Sequence, residues 1–194
     1  MKTYSNFLSH FSSFLFKKKL KHLILHVTNH CNFRCSHCFV DFVNIKRDLK
    51  IDEYKKISEN INNLFWLDVG GGEPFLRKDL SQIINLFRKQ IVSIPTNGWL
   101  LNNILEQIDL IEKKNTELVI NLSLDGLEKT HNKIRKNEKS WEKVWECFEQ
   151  LKKNKSIKTR IITVIHKDNF NEILPLMEIV KKNGADFHSV ILLR

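Results

Sequence analysis

Residues 22–38 read His-Leu-Ile-Leu-His-Val-Thr-Asn-His-Cys-Asn-Phe-Arg-Cys-Ser-His-Cys. The run Leu23–Val27 has the length and apolar bias of a strand, and it empties into a polar loop bearing Cys31, Cys35 and Cys38. The same grammar recurs along the chain. Further apolar runs stand at Phe65–Val69, Ile91–Ile94, Leu118–Leu124, Arg160–Ile165 and Val190–Leu193. Several are almost continuously apolar, as expected of strands covered on both faces in a parallel sheet. Between them, Ile51–Leu64, Leu80–Lys89, Ile104–Lys113, Trp141–Lys152 and Phe170–Lys182 have helical length and spacing. Asp52, Asp79, Ser140 and Asn169 stand near helix starts, and Gly184 follows a helix end. Six strands joined by five crossovers, with no hairpin signal, predict an α/β fold with a parallel sheet or part-barrel. The last run ends at the chain's last residues with no helix to cover it, which is the pattern expected of a barrel truncated after strand six.

Composition sets the bounds. The 194 residues suit one domain, and 42% apolar content provides a core, which excludes wholesale disorder. Six Gly and three Pro leave little room for low-complexity linkers. No apolar run reaches the ~18 residues of a membrane span. Thirty-two Lys+Arg against 22 Asp+Glu give a net charge of +10. Of four cysteines, three crowd into eight residues, which argues against a disulfide scaffold and for metal binding in a reducing, cytoplasmic setting. The expected division is an N-terminal segment over residues 1–21 and a core domain over residues 22–194. The first segment places Phe7, Phe11, Phe14 and Leu15 at helical spacing, followed by Lys17, Lys18, Lys19 and Lys21. It lacks the charge order of a secretory signal. It reads as a helix packing on the domain, or alternatively as a peripheral membrane contact with a basic flank.

In parallel α/β folds, functional loops lie at the carboxyl ends of the strands. Here those ends carry Cys31, Cys35 and Cys38, then Gly70-Gly71-Gly72-Glu73-Pro74, then Thr96-Asn97-Gly98, then Ser123-Leu124-Asp125-Gly126, then His166-Lys167-Asp168-Asn169. Three thiolates from one loop can hold three irons of a cubane and leave the fourth open. Zinc, recruiting His30 or His37, is one alternative, although no second ligand couple is at hand. Three structural cysteines without metal is another, but the loop is too polar to make a good core. Cys147, within a helical run, reads as a small buried hydrophobe. Adjacent glycines let backbone approach a ligand closely, and Glu73 can accept from an ammonium. A tight turn would explain the glycines equally well in isolation.

The C-x3-C-x2-C loop after strand one, with Gly-Gly-Glu-Pro after strand two, resembles the radical S-adenosylmethionine (radical SAM) superfamily. The likeness is to the core domain of its sulfatase- and peptide-maturing members and covers about residues 22–194. It implies a (β/α)6 partial TIM barrel. It also implies that Cys31, Cys35 and Cys38 ligate a [4Fe-4S] cluster whose open iron is chelated by SAM. By the same resemblance, Gly71, Gly72 and Glu73 would hold the methionyl ammonium. His37 would stand beside the adenine, where Tyr or Phe is commoner. Ser123, Asp125 and the trailing His131 and Arg135 resemble an S-x-D-G stretch followed by H-x3-R. There the serine contacts the SAM ribose or methionyl end and the arginine its carboxylate. Asp125-Gly126 as a plain turn and Arg135 as a solvated helix residue remain the alternatives, as does Asn97-Gly98 as an ordinary turn or a shaper of the pocket floor.

The activity implied is reductive cleavage of SAM to methionine and a 5′-deoxyadenosyl radical that abstracts hydrogen from a peptide, protein or small metabolite. The basic charge suits an acidic, flavodoxin-like electron donor. It would also suit RNA, making an RNA-modifying enzyme the first alternative, although no aromatic stacking platform accompanies the lysines. A non-catalytic metal-binding or regulatory module is the second. Substrate-facing positions are expected on the later strands, at Thr163, Ile165 and Arg194.

Overall fold

Strands separated by amphipathic helices must pair in parallel, because each crossover returns the chain to the same edge of the sheet. The structure, a computed structural model, describes residues 20–43, 46–61 and 63–192. Six strands stand in sequence order in one sheet: β1 (His22–Thr28), β2 (Leu64–Gly71), β3 (Lys89–Thr96), β4 (Glu117–Ser123), β5 (Ile157–Ile165) and β6 (Phe187–Leu192). Every neighbouring pair is parallel, and among the described residues β1 and β6 are the two edges of the sheet. This is the α/β part-barrel that the sequence predicts.

The crossovers carry α1 (Ile51–Glu59), α2 (Leu80–Asn85), α3 (Leu101–Leu110), α4 (Glu128–Arg135), α5 (Ser140–Lys152) and α6 (Ile173–Asn183), with 3-10 turns at Pro74–Leu76 and Phe170–Glu172. Leu67, Ile94, Leu118, Ile120 and Leu122 of the sheet pack against Ile83, Ile104, Ile108, Phe148 and Leu151 of the helices. Because side chains alternate along a strand, the intervening Asp68, Ser93 and Asn121 face the other side and line a cavity there. The apolar core therefore lies between sheet and helices, and the inner face of the sheet is left for polar work.

Several boundaries differ from the sequence expectation. The helix expected to reach Leu64 stops at Glu59, capped by Asn60, and Leu64 opens β2 instead. The helix expected at Leu80–Lys89 ends at Asn85, and Lys89 starts β3. Asp52 is not a cap. Lys50 holds that position, its N–H donating to Glu53, which Arg47 also grips. Ser140 is the first residue of α5 rather than its cap. Helix α4 escapes a search for apolar periodicity because only His131 and Ile134 of its eight residues are buried. Gly184 does close α6, at φ +75°. The segment expected over residues 1–21 lies outside the described residues except for Leu20 and Lys21, as do Leu193 and Arg194. Among the described residues, no helix is long and apolar enough to cross a membrane.

Phe148 has no exposed surface and stacks edge-on against Trp145 at 5.3 Å. Phe148→Ala is expected to lower unfolding free energy by about 3–5 kcal/mol, read from the urea midpoint at unchanged slope.

Candidate active site

The cysteine loop leaves β1 at Thr28, whose hydroxyl accepts from the His30 N–H at 3.0 Å. Arg34 turns back on the loop and donates to the carbonyls of Cys31 and Phe33, each at 2.8 Å. Two contacts fix the loop from outside. Ser36 N–H donates to the Ile134 carbonyl of α4 at 2.9 Å. On the other side, Gly72 N–H donates to the Thr28 carbonyl (2.7 Å) and Glu73 N–H to the His30 carbonyl (2.9 Å). These bonds continue the β1–β2 ladder past a register irregularity between His26 and Thr28.

The glycines are there for this approach. A Cβ on Gly71, at φ +125°, would sit 2.1 Å from the Thr28 carbonyl oxygen. One on Gly72 would sit 2.1 Å from the His30 carbonyl oxygen and 3.1 Å from Cys31 Cβ. No side chain fits between the two loops.

Glu73 is only 1% exposed. Its carboxylate accepts from Asn97 N–H (2.8 Å), the Thr96 hydroxyl (3.0 Å) and Phe75 N–H (3.3 Å). Burial nevertheless outweighs these bonds and pushes its pKa up to about 7. Asn97 also donates from Nδ2 to Asn32 Oδ1 at 2.8 Å, tying the β3 end to the cysteine loop.

Across the cavity, Asp125 is wholly buried. Its Oδ1 accepts from Val164 N–H at 2.9 Å, and Oδ2 lies 2.6 Å from Arg135 Nη2 and 3.7 Å from His37 Nε2. The Asp125 N–H donates to His131 Nδ1 at 3.0 Å, which fixes the proton of that imidazole on Nε2. Burial drives the His131 pKa down to about 3, so the ring is neutral. Asn169 Nδ2 donates to the Asp125 and Val164 carbonyls, and Glu172 accepts from Leu127 N–H and the Thr130 hydroxyl. Arg135 Nη1 comes within 3.7 Å of Cys35 Sγ. Burial raises the Cys31 thiol pKa to about 11 and raises that of Cys35, whose shift Arg135 opposes.

Cys31, Cys35, Cys38, His37, Gly71, Gly72, Glu73, Ser123 and Arg135 all border one cavity of about 580 Å³. Asp125 does not reach its wall. Thr163 and Ile165, expected to face a substrate, are not on it either. Their strand parity is that of Ile161, which is in the core, and Ile162 and Val164 line the cavity instead. The Thr163 hydroxyl is spent on the Leu124 carbonyl at 2.7 Å. Cys147 is buried in the core, as expected. Asn169 and Glu172 were not singled out for binding by the sequence. An Asx-type residue after a strand is the one signal that points to such a strut.

Compared with known proteins, residues 25–180 match the family model described as the Radical SAM superfamily. The chain belongs to the radical SAM superfamily. Among curated relatives, the GTP 3′,8-cyclase of Campylobacter jejuni subsp. doylei is 30% identical over 190 residues, covering 90% of this chain and 57% of the relative. The S-adenosylmethionine-dependent nucleotide dehydratase of a Fibrobacter species is 32% identical over 168 residues, covering 77% of this chain and 49% of the relative. The chain thus spans about half the length of these relatives. In fold it is similar to Streptococcus suis SuiB solved with S-adenosylmethionine, with a TM-score of 0.70 at 19% identity over 91% of this chain and 41% of SuiB.

Radical SAM proteins use a [4Fe-4S] cluster and SAM. Among the described residues no three His, Cys, Asp or Glu side chains gather around one ion-sized point, the arrangement a lone zinc would need. Thiolates ligating a cubane bind separate iron corners and need only face a common space, which Cys31, Cys35 and Cys38 do. The cavity volume is of small-ligand size. The residues present fit the radical SAM cofactors. Gly72→Ala should drive the two loops apart, so iron retained after anaerobic reconstitution is expected to fall well below wild type while the far-UV spectrum is unchanged.

Proposed function

We propose that this chain is the catalytic core of a radical SAM enzyme, with Cys31, Cys35 and Cys38 as ligands of the [4Fe-4S] cluster. The observation that carries the reading is that all three cysteines border one cavity together with Glu73, Ser123 and Arg135. When bound, the cofactor pair supplies reductive cleavage of SAM and a 5′-deoxyadenosyl radical that takes a hydrogen atom from substrate. Gly71 and Gly72 hold the cysteine loop in register and bring backbone close to the methionyl end. Glu73 accepts the SAM ammonium, and Ser123 offers a hydroxyl to the ribose or methionyl end. His37 stands as the planar group near the adenine. Asp125 acts indirectly, by orienting Arg135.

The substrate is a peptide, a protein or a small polar metabolite. SuiB, the structural relative, has also been solved with its precursor peptide SuiA. The inner wall is poor in basic side chains. It presents Asp68, Ser93 and Asn121, and among the described residues Arg135 is the one Lys or Arg side chain on it. The Asn121 amide donates to Ser93 Oγ at 2.7 Å, and its buried Oδ1 has no protein donor. This wall does not suit RNA, whose phosphates need several cations. An acidic electron donor suits the net charge of +10. The domain extends over residues 22–194 with residues 1–21 as a separate basic segment, and thiolate ligands suit the reducing cytoplasm.

Anaerobically reconstituted, dithionite-reduced protein is expected to release 5′-deoxyadenosine from SAM, and Cys35→Ala to release none above background. A fully loaded wild-type cluster that yields no product overturns the enzyme reading. The raised pKa of Glu73 gives a second outcome. Only an ionised carboxylate pairs with a protonated amine, so SAM affinity measured by calorimetry should rise as pH climbs through about 7 and fall again above about 8, where an α-amino group loses its proton. Glu73→Gln should weaken binding by about tenfold or more and flatten that profile.

A further inference from the structure

Resemblance assigns Arg135 to a carboxylate of SAM, yet both terminal nitrogens of its guanidinium are already engaged within the protein, and Nε alone is left without a partner. Nη2 pairs with Asp125 Oδ2 at 2.6 Å, and Nη1 points at Cys35 Sγ from 3.7 Å. Neither group is free to swing. The Arg135 side chain is 11% exposed and Asp125 fully buried. Asp125 is pinned through Oδ1 by Val164 N–H and through its own N–H by His131. The neighbouring residue, Ile134, anchors the cysteine loop by accepting from Ser36 N–H at 2.9 Å. Helix α4 therefore touches the cysteine loop twice, once through backbone and once through charge.

We propose that Arg135 and Asp125 form a pair of opposed charges that sets the reduction potential of the cluster through Cys35. This rests on the reading of Cys35 as a cluster ligand. Reduction adds an electron to a centre already surrounded by thiolates. A guanidinium donating to one of their sulfurs stabilises the reduced form more than the oxidised form, and so raises the potential. Asp125, on the far side of the guanidinium, acts with opposite sign and tempers the effect. In a buried site both act at low dielectric and are weakly screened. Arg135 is a positioning residue here, acting on the cluster through Cys35 whether or not SAM is bound.

The test is an EPR-monitored redox titration of the reconstituted full chain without SAM, at matched iron content. Arg135→Gln is expected to shift the midpoint to more negative potential. Asp125→Asn, which keeps the shape and the acceptor for Val164 N–H, is expected to shift it to more positive potential. Arg135→Lys, retaining charge without the fork, should fall between wild type and Arg135→Gln. Wild-type midpoints in both Arg135→Gln and Asp125→Asn, with Arg135→Gln losing only SAM affinity, overturn the proposal and return the guanidinium to SAM. Should Arg135→Gln not load iron, Asp125→Asn decides alone, since an unchanged or more negative midpoint overturns it. A wild-type chain that takes up no [4Fe-4S] cluster is recognised before any variant is compared. That result overturns the parent reading and this one with it.

Discussion

Two backbone hydrogen bonds, from Gly72 to Thr28 and from Glu73 to His30, hold the site together. They bring the loop after β2 against the loop after β1 so closely that side chains at residues 71 and 72 are sterically forbidden. The consequences run in both directions. The first cysteine is seated against Gly72, and Glu73 is carried into the interior, where Thr96 and Asn97 of the next strand end receive it. Asn97 in turn reaches back to Asn32 in the cysteine loop. Three successive strand ends are thereby locked through polar groups at the rim, while the apolar cluster beneath fixes only the strands themselves.

The opposite rim is built on charge. A buried ion pair such as Asp125–Arg135 adds little net stability, because desolvation offsets most of the attraction. Apolar residues of similar volume would serve the fold as well. What the pair does provide is direction: a rigid acceptor, held by Val164 and His131, aims a guanidinium at Cys35. Glu172 and Asn169 extend the same scaffold to the turn that opens α6. The cysteine loop is therefore clasped between a backbone zipper on one side and an electrostatic arm on the other.

How far these features were legible in the sequence depends on the kind of signal each leaves. The six strands and their parallel order follow from apolar runs of strand length, because burial on both faces demands such runs. The cysteines and glycines follow from spacing that has few other uses. Helix α4 leaves no apolar period, and its role is carried by one charge and one histidine. On β5, Thr163 and Ile165 face away from the cavity that the sequence expects them to line, and Ile162 and Val164 take that place. Along a strand, a shift of one residue exchanges the faces, and a run of Ile, Thr and Val carries too little contrast to fix the phase. The engagement of Arg135 by Asp125 was also invisible, since sequence shows which groups share a rim but not which of them pair.

Polarity within the cavity then follows from the architecture. The thiols and Glu73 lie in loops that follow strand ends, where backbone groups can partner buried charge, and Arg135 reaches the same rim from the last residue of α4. Deeper along β3 and β4 the backbone is spent on the sheet ladder, so side chains there must satisfy one another, as Ser93 and Asn121 do. Below the rim Ser93 and Asn121 are neutral, and the carboxylate beside them, Asp68, is held by His22 and Trp66. Cofactor chemistry, which needs charge compensation, belongs at the rim. At Asn121 the amide nitrogen is paired with Ser93, and the buried Oδ1 has no protein donor. A buried acceptor left open costs stability unless something fills it.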